Sequence, residues 1–275
     1  MTSIRLIDLS YSDGPRQLAT TEAIMSTVAK GAVPPTVRLY SWSEPVVILG
    51  VGQPASDLDL EHCRASGYRI LRRIAGGTAV YHDRNEVSID LILPTGHQIA
   101  PNDVHEGYRR FASLLSAALN PFGVDAEPVD VEAARELDQD PLLRPVCFAS
   151  LSPFEFFQDG RKLNGLCQIR RRNVITYQTA IYNRFTVEPL IASIRHDTHE
   201  VRNLRASRLD SFVTDLERAS GGPVNYDSLQ RSLADAIEAI EAVRVVPGEM
   251  SPAEEQETER LVTEKYGNDD WTFRR

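Results

Sequence analysis

Lysine is scarce in this chain. Of its thirty basic residues only three are Lys, at positions 30, 162 and 265, and the other twenty-seven are Arg. Cysteine is scarce too. Cys63, Cys147 and Cys167 are odd in number and scattered, which excludes a disulfide framework and matches no zinc-ligand spacing. Reduced thiols and a cytoplasmic setting are the expectation, with no metal and no bound cofactor. No run approaches eighteen apolar residues, so no membrane-spanning helix is expected, and "MTSIRLIDLS" lacks the apolar core of a secretory signal. Basic charge is not in excess either. Thirty Lys and Arg against thirty-nine Asp and Glu leave a net charge of −9, which argues against a general nucleic-acid binder. Only local runs such as "YRR" at 108–110 and "RRRN" at 170–173 could face an acidic partner.

What remains is ordinary for a globular enzyme: 275 residues, 42% hydrophobic and 25% charged. Residues 15–30 show a helical stripe (Leu18, Thr21, Met25, Val28) stopped by Gly31. "TVRLYSW" and "PVVILGVG" read as strands, the second apolar enough to be buried on both faces. "DLDLEHCRASG" reads as a short helix, with Cys63 a small core residue. Val87, Ile89, Leu91 and Leu93 alternate with Ser88 and Asp90 in a strand. Residues 103–120 form a helix opened by an Asp103/Glu106 capping box. The stretch 130–145 reads as a mobile loop or a short exposed helix. Asp159-Gly160 is a hairpin turn, and with "RRRN" turning into "VITYQTAIYN" it predicts a three-stranded antiparallel meander. Helices follow at about 187–196, 206–219, 226–243 and 251–266, the last opened by Ser251, Pro252 and Glu254. Strands before helices argue for an α+β fold.

Three places carry candidate chemistry. Lys162 stands just past the hairpin turn, on the opposite face of the strand from Arg161. In a chain this biased toward Arg, a lysine there reads either as a solvated strand residue or as a compact cation that must approach one oxygen closely. Arg72 and Arg73 precede Gly76 and Gly77, a loop suited to close backbone approach or to an anionic ligand, or simply a tight turn. Cys147 lies in an irregular segment, and its thiolate would be favoured by a nearby ammonium. Cys167 sits among apolar neighbours and reads as core. His82 reads as a core histidine, a base or a ligand orienter.

Taken in order, these stretches resemble the biotin/lipoate protein ligase and octanoyltransferase family. "PVVILGVGQ" is similar to its Gly-x-x-Gln strand and loop, "RRIAGGTAVYHD" to its acyl-binding loop, and "GRKLNGLCQ" to its Gly-Arg-Lys-x-x-Gly-x-x-Gln signature. "CFASLSPFEF" resembles a segment of the cysteine-dependent octanoyltransferases, and "EKYGNDDWTFRR" a common family ending. The likeness spans about residues 15–275. It implies a mixed or antiparallel sheet flanked by helices, in the class II aminoacyl-tRNA synthetase/biotin synthetase-like catalytic fold. Residues 1–245 would form the catalytic unit and 246–275 a helical extension packed on it.

The implied reaction moves an octanoyl group from octanoyl-acyl-carrier protein to one lysine of a lipoyl-domain acceptor, such as a glycine-cleavage H protein. Cys147 would carry the acyl thioester and Lys162 would favour the thiolate and the oxyanion. Arg72, Arg73, Gly76, Gly77, His82, Gly165 and Gln168 would shape the substrate site. Arg72 and Arg73 would face the carrier's phosphopantetheine, and the enzyme would act as a monomer. Two departures stand out: Gln178-Thr179-Ala180 replaces the His-Gly-Ser/Thr of many members, and Gly165-Leu166-Cys167-Gln168 replaces Gly-Ser-Ala-Gln. The alternatives are an ATP-dependent lipoate ligase, which would lack the cysteine; a member that binds lipoyl-domain or carrier protein without catalysis; and, on weaker grounds, biotin ligation.

Overall fold

The computed structural model describes residues 3–132, 134, 142, 146 and 152–275; Cys147 and most of the stretch 130–145 lie outside the described residues. The first half runs β1 (Ile4–Ser12), α1 (Gly14–Ala29), β2 (Thr36–Trp42), β3 (Val46–Leu49), α2 (Leu60–Ala65), β4 (Arg69–Arg72), β5 (Val80–His82), β6 (Glu86–Pro94) and α3 (Val104–Leu119). The second half holds β7 (Glu127–Pro128), β8 (Phe156–Gln158), β9 (Arg161–Lys162), β10 (Asn164–Arg171) and β11 (Val174–Tyr182). Then come α4 (Val187–Ala192), α5 (His199–Phe212), α6 (Leu216–Ser220), α7 (Tyr226–Glu241), β12 (Val245–Pro247), α8 (Pro252–Leu261) and α9 (Asp269–Thr272).

Six strands form the main sheet in the order β10-β11-β6-β2-β1-β12. The pairs from β10 to β2 are antiparallel, whereas β1 pairs in parallel with both β2 and β12. The sheet is mixed and flanked by helices, the α+β arrangement that the sequence implies. Two three-stranded sheets accompany it, β4-β3-β5 and β7-β8-β9. The centre of the main sheet is β6, buried from Glu86 to Leu93. Its residues Val87, Ile89, Leu91 and Leu93 pack with Phe111 and Leu115 of α3 and Leu229 and Leu233 of α7. The polar side of its alternation is buried as well, because α1 and the β4-β3-β5 sheet cover it. Asp90 there accepts hydrogen bonds from Thr21 Oγ1 (2.7 Å) and Gln178 Nε2 (2.7 Å). Buried carboxylates need such partners.

Two sequence expectations need correction, and two strands escape the local pattern. The pattern does not single out β1 and β12, which complete the sheet through parallel pairings of long sequence separation. The expected meander is split. β8 and β9 close a hairpin over Asp159 (φ +53°) and Gly160 (φ +73°), the two left-handed residues of a type I′ turn. After Leu163 the chain leaves that small sheet, and β10 and β11 join the main one. The helix expected at 206–219 is two helices, α5 and α6, parted at Val213–Asp215. The break has a visible cause: Val213 pairs with Lys162 as an isolated bridge and Thr214 N–H donates to the Lys162 carbonyl (2.8 Å). Asp215 then caps α6 through Arg218 N–H (3.0 Å).

Capping follows the sequence more closely. Asp103 accepts from Glu106 N–H (2.7 Å) to open α3, while the Glu106 carboxylate turns to Arg109 and Arg110. Ser251 and Glu254 form the full reciprocal box at α8. Glu254 is fully buried and takes a two-pronged ion pair from Arg5 on β1, at 2.6 and 2.9 Å. Burial pushes this carboxyl up, but the Arg5 and Ser251 bonds together outweigh it and hold the group at about 2. Because the folded value is depressed, this stabilisation is complete above the ordinary carboxylate value and is lost as pH falls toward 2. Arg5→Met strands a buried charge and should cost about 3–5 kcal/mol at pH 7. The penalty should shrink near pH 3, where Glu254 in the variant is protonated. Urea unfolding followed by circular dichroism at the two pH values checks this.

Candidate active site

A cleft of about 360 Å³ opens between the α1 side of the main sheet and the loop that joins β4 to β5. Tyr40, Trp42, Ser88, Gln178 and Ala180 line its sheet wall, Ile48 and Val80 its opposite wall, and Ala75, Gly76 and Gly77 the connecting loop.

The loop is held by backbone geometry and one arginine. Gly77 is left-handed (φ +85°), a conformation natural to glycine. A Cβ on Gly50 would lie 1.8 Å from the Gly77 carbonyl oxygen, so the β3 terminus must be glycine for the loop to lie against it. Arg73 donates to the carbonyls of Ile48 (3.0 Å), Gly76 (3.1 Å) and Thr78 (2.9 Å). Arg72 is fully buried and is not among the residues lining the cleft. Its guanidinium donates to the carbonyls of Gly50 (2.8 Å), Gln53 (2.6 Å) and Thr272 (2.8 Å). Arg73 therefore shapes the loop, whereas Arg72 ties the segment after β3 to α9 and is turned away from any ligand in the cleft.

His82 lines the cleft and stacks between Trp42 (centroids 4.9 Å apart) and Tyr182 (6.3 Å). Its Nδ1 lies 3.3 Å from the Glu86 carboxylate. Trp42 Nε1 and Ser88 Oγ donate to that buried carboxylate.

Lys162 lies behind the other end and does not itself line the cleft. Its side chain is 1% exposed and its Nζ lies 2.8 Å from Glu155 Oε2; the Glu155 side chain is 3% exposed. Arg161 lies on the outer face of the same strand, its guanidinium reaching the Asp210 carbonyl, so the alternation of the two cations is as expected. Glu155 is gripped from three sides, by Lys162, Ser152 N–H (2.7 Å on Oε2) and Leu166 N–H (2.9 Å on Oε1). Burial pushes its carboxyl up, against the pull of Lys162 and the two backbone donors. Beside it, Asn164 Oδ1 accepts from Phe156 N–H (2.8 Å) and Asn164 Nδ2 donates to Thr179 Oγ1 (3.0 Å). Glu155 and Ser152 stand in the cleft wall, so the lysine meets the cleft across its carboxylate partner.

Gly165 and Gln168 also line the cleft, and Gln168 Oε1 accepts from Arg170 Nε (3.0 Å). Cys167 corrects its sequence reading. It packs against the α1 cluster, yet it is only half-buried and its thiol faces the cleft, 3.5 Å from Gln178 Oε1. On an edge strand one neighbour is missing, so apolar flanks do not ensure burial. Cys63 is buried as expected, and burial pushes its thiol up.

Sequence reasoning did not single out Glu155. The signal was there: one carboxylate inside the aromatic run "PFEFF", diagonal across a hairpin from one rare lysine, is a buried ion pair in waiting. Arg170 is spent on the carbonyls of Pro101 and Asn102, whereas Arg171 and Arg172 line a separate surface groove with Glu22, Met25 and Lys30. Among the described residues no group of three or more metal-ligating side chains occurs, and no helix is long and apolar enough to cross a membrane.

This geometry can hold a linear apolar chain with a buried cation near one end. Comparison with known proteins agrees in fold and in sequence. The described fold is similar to that of a bi-partite lipoate protein ligase from Thermoplasma acidophilum, with a TM-score of 0.82 over 99% of this chain and 97% of that one, at 20% identity. Over the full length of both chains, it is 32% identical to "Octanoyltransferase LipM" of Kyrpidia tusciae. A relative of the same name from Symbiobacterium thermophilum is 31% identical over 100% of this chain and 99% of its own. The family model for the lipoyl protein ligase A/B catalytic domain matches residues 13–238, and the chain belongs to that family.

Proposed function

We propose that this protein is an octanoyltransferase of lipoate biosynthesis, working through a cysteine thioester. The observation that carries this reading is the Lys162–Glu155 pair buried at the wall of a largely apolar cleft roofed by a glycine loop. Full-length similarity to relatives named octanoyltransferases supports it. The donor is octanoyl-acyl-carrier protein and the acceptor one lysine of a lipoyl domain.

The Cys147 thiolate attacks the donor's thioester carbonyl. The donor C–S bond breaks, the carrier thiol leaves with a proton, and the octanoyl group stays on Cys147. The acceptor amine then attacks the acyl-enzyme, loses a proton and expels the Cys147 thiolate, leaving an amide. Thioester plus amine become amide plus thiol, so no ATP is consumed. Lys162 stabilises both the thiolate and the developing oxyanion, and Glu155 sets where its ammonium stands. Gly76 and Gly77 admit the acyl carbonyl and first methylenes, while Arg73 and His82 hold the surrounding walls. Gly165 and Gln168 flank the acyl group, and the Arg171–Arg172 edge offers a docking surface for an acidic carrier or lipoyl domain.

Intact mass spectrometry tests this directly. Incubated with octanoyl-acyl-carrier protein and no ATP, the protein should gain one octanoyl group, and hydroxylamine should remove it. No adduct on folded protein, together with lipoylation of a lipoyl domain that requires ATP and free lipoate, would establish a ligase instead.

A further inference from the structure

Two departures from the family pattern, Cys167 and Gln178, meet at one place in the fold. They are directly opposite each other across β10 and β11, and both face the cleft. One rung nearer Lys162 on the same face stands the pair Gly165 and Ala180, also in the cleft wall. One rung further on the face is closed: Ile169 packs with Ala23, Ile24 and Val28 of α1, and its partner Thr176 is fully buried. Leu18 of α1 also lines the cleft.

Resting on the acyl-transfer reading above, we infer that the Cys167–Gln178 rung is the end wall of the acyl cleft and sets the length of chain it accepts. The wall stands about 6.7 Å, two strand residues, beyond the Gly165–Ala180 rung. It is rigid. Gln178 Nε2 donates to Asp90 Oδ1 (2.7 Å) and its Oε1 faces the Cys167 thiol (3.5 Å). Asp90 is in turn held by Thr21 (2.7 Å) and stands 3.6 Å from Arg38 Nε. A carboxamide with both ends engaged cannot swing aside for a longer chain. Cys167 is the adjustable part, because its thiol can be trimmed or enlarged without disturbing Asp90.

The test is calorimetric titration with straight-chain fatty acids of six to twelve carbons, which needs no transfer chemistry. The wild type should bind the eight-carbon acid best. Cys167→Gly should raise the ten- to eight-carbon affinity ratio at least tenfold, since each buried methylene is worth a few-fold. Cys167→Leu should shift the preference toward six carbons. Three identical profiles, or no saturable binding of any acid, overturn the wall. Failure of the acyl-transfer reading would show separately, as a missing octanoyl adduct in a protein whose binding profile still shifts.

Discussion

Lys162→Met should lower the stability of the protein by about 3–5 kcal/mol at neutral pH, because Glu155 is left buried without its counter-ion and must either stay unpaired or take up a proton. For a chain of this size the melting temperature should fall by roughly 10 °C. Burial already pushes the Glu155 carboxyl up with Lys162 in place, and removing the ammonium drives it further up. A group whose folded value is raised contributes stability that is full below its unfolded value, near 4.3, and lost as pH rises through the folded value. The variant should therefore be closest to wild type near pH 4 and furthest from it near pH 8.

Adding Glu155→Gln should restore part of the stability, since the buried charge is gone and the single Gln carbonyl oxygen still accepts from one of the two N–H groups that hold the carboxylate, Leu166 or Ser152. It should not restore transfer. Loss of an oxyanion donor is worth about 10²–10³ in rate, and the double variant still lacks the ammonium. Thermal melts between pH 4 and 8, paired with transfer assays, separate the two effects. Full transfer by the double variant would make Lys162 a purely structural cation.

Cys147→Ala should abolish both the octanoyl adduct and transfer, while Cys167→Ala should keep most of the rate. On the proposed mechanism the Cys147 thiolate is the nucleophile. Cys63 is sealed in the core with its thiol pushed up by burial, which removes it as a substitute. Cys167 faces the cleft, but on the inference above it meets the far end of the acyl chain rather than the carbonyl. Adduct formation by intact mass for both variants checks this; loss at Cys167 alone would reverse the assignment of the nucleophile.

Much of this architecture is written locally. The Asp159-Gly160 turn, the α1 stripe and the caps at Asp103 and Ser251 depend on contacts a few residues apart, where residue type dictates conformation. The division of the meander, the strands β1 and β12, and the break at Val213–Asp215 do not. Each arises from a pairing distant in sequence, such as Val213 with Lys162, and local pattern carries no record of it. Arg72 shows the same limit at the site. Its place beside Arg73 and two glycines reads as ligand binding, yet three carbonyls brought from the β3–α2 loop and from α9 claim its guanidinium.

By itself the sequence determined the family, the α+β class and the order of the glycine-loop and lysine motifs along the chain, because motif spacing is a property of the chain. Only the tertiary structure decided that Lys162 is buried against Glu155 and that Cys167 faces the cleft beside Gln178. Burial and charge pairing are set by which side chains the fold stacks together, and a buried charge stays charged only where the fold supplies its partner.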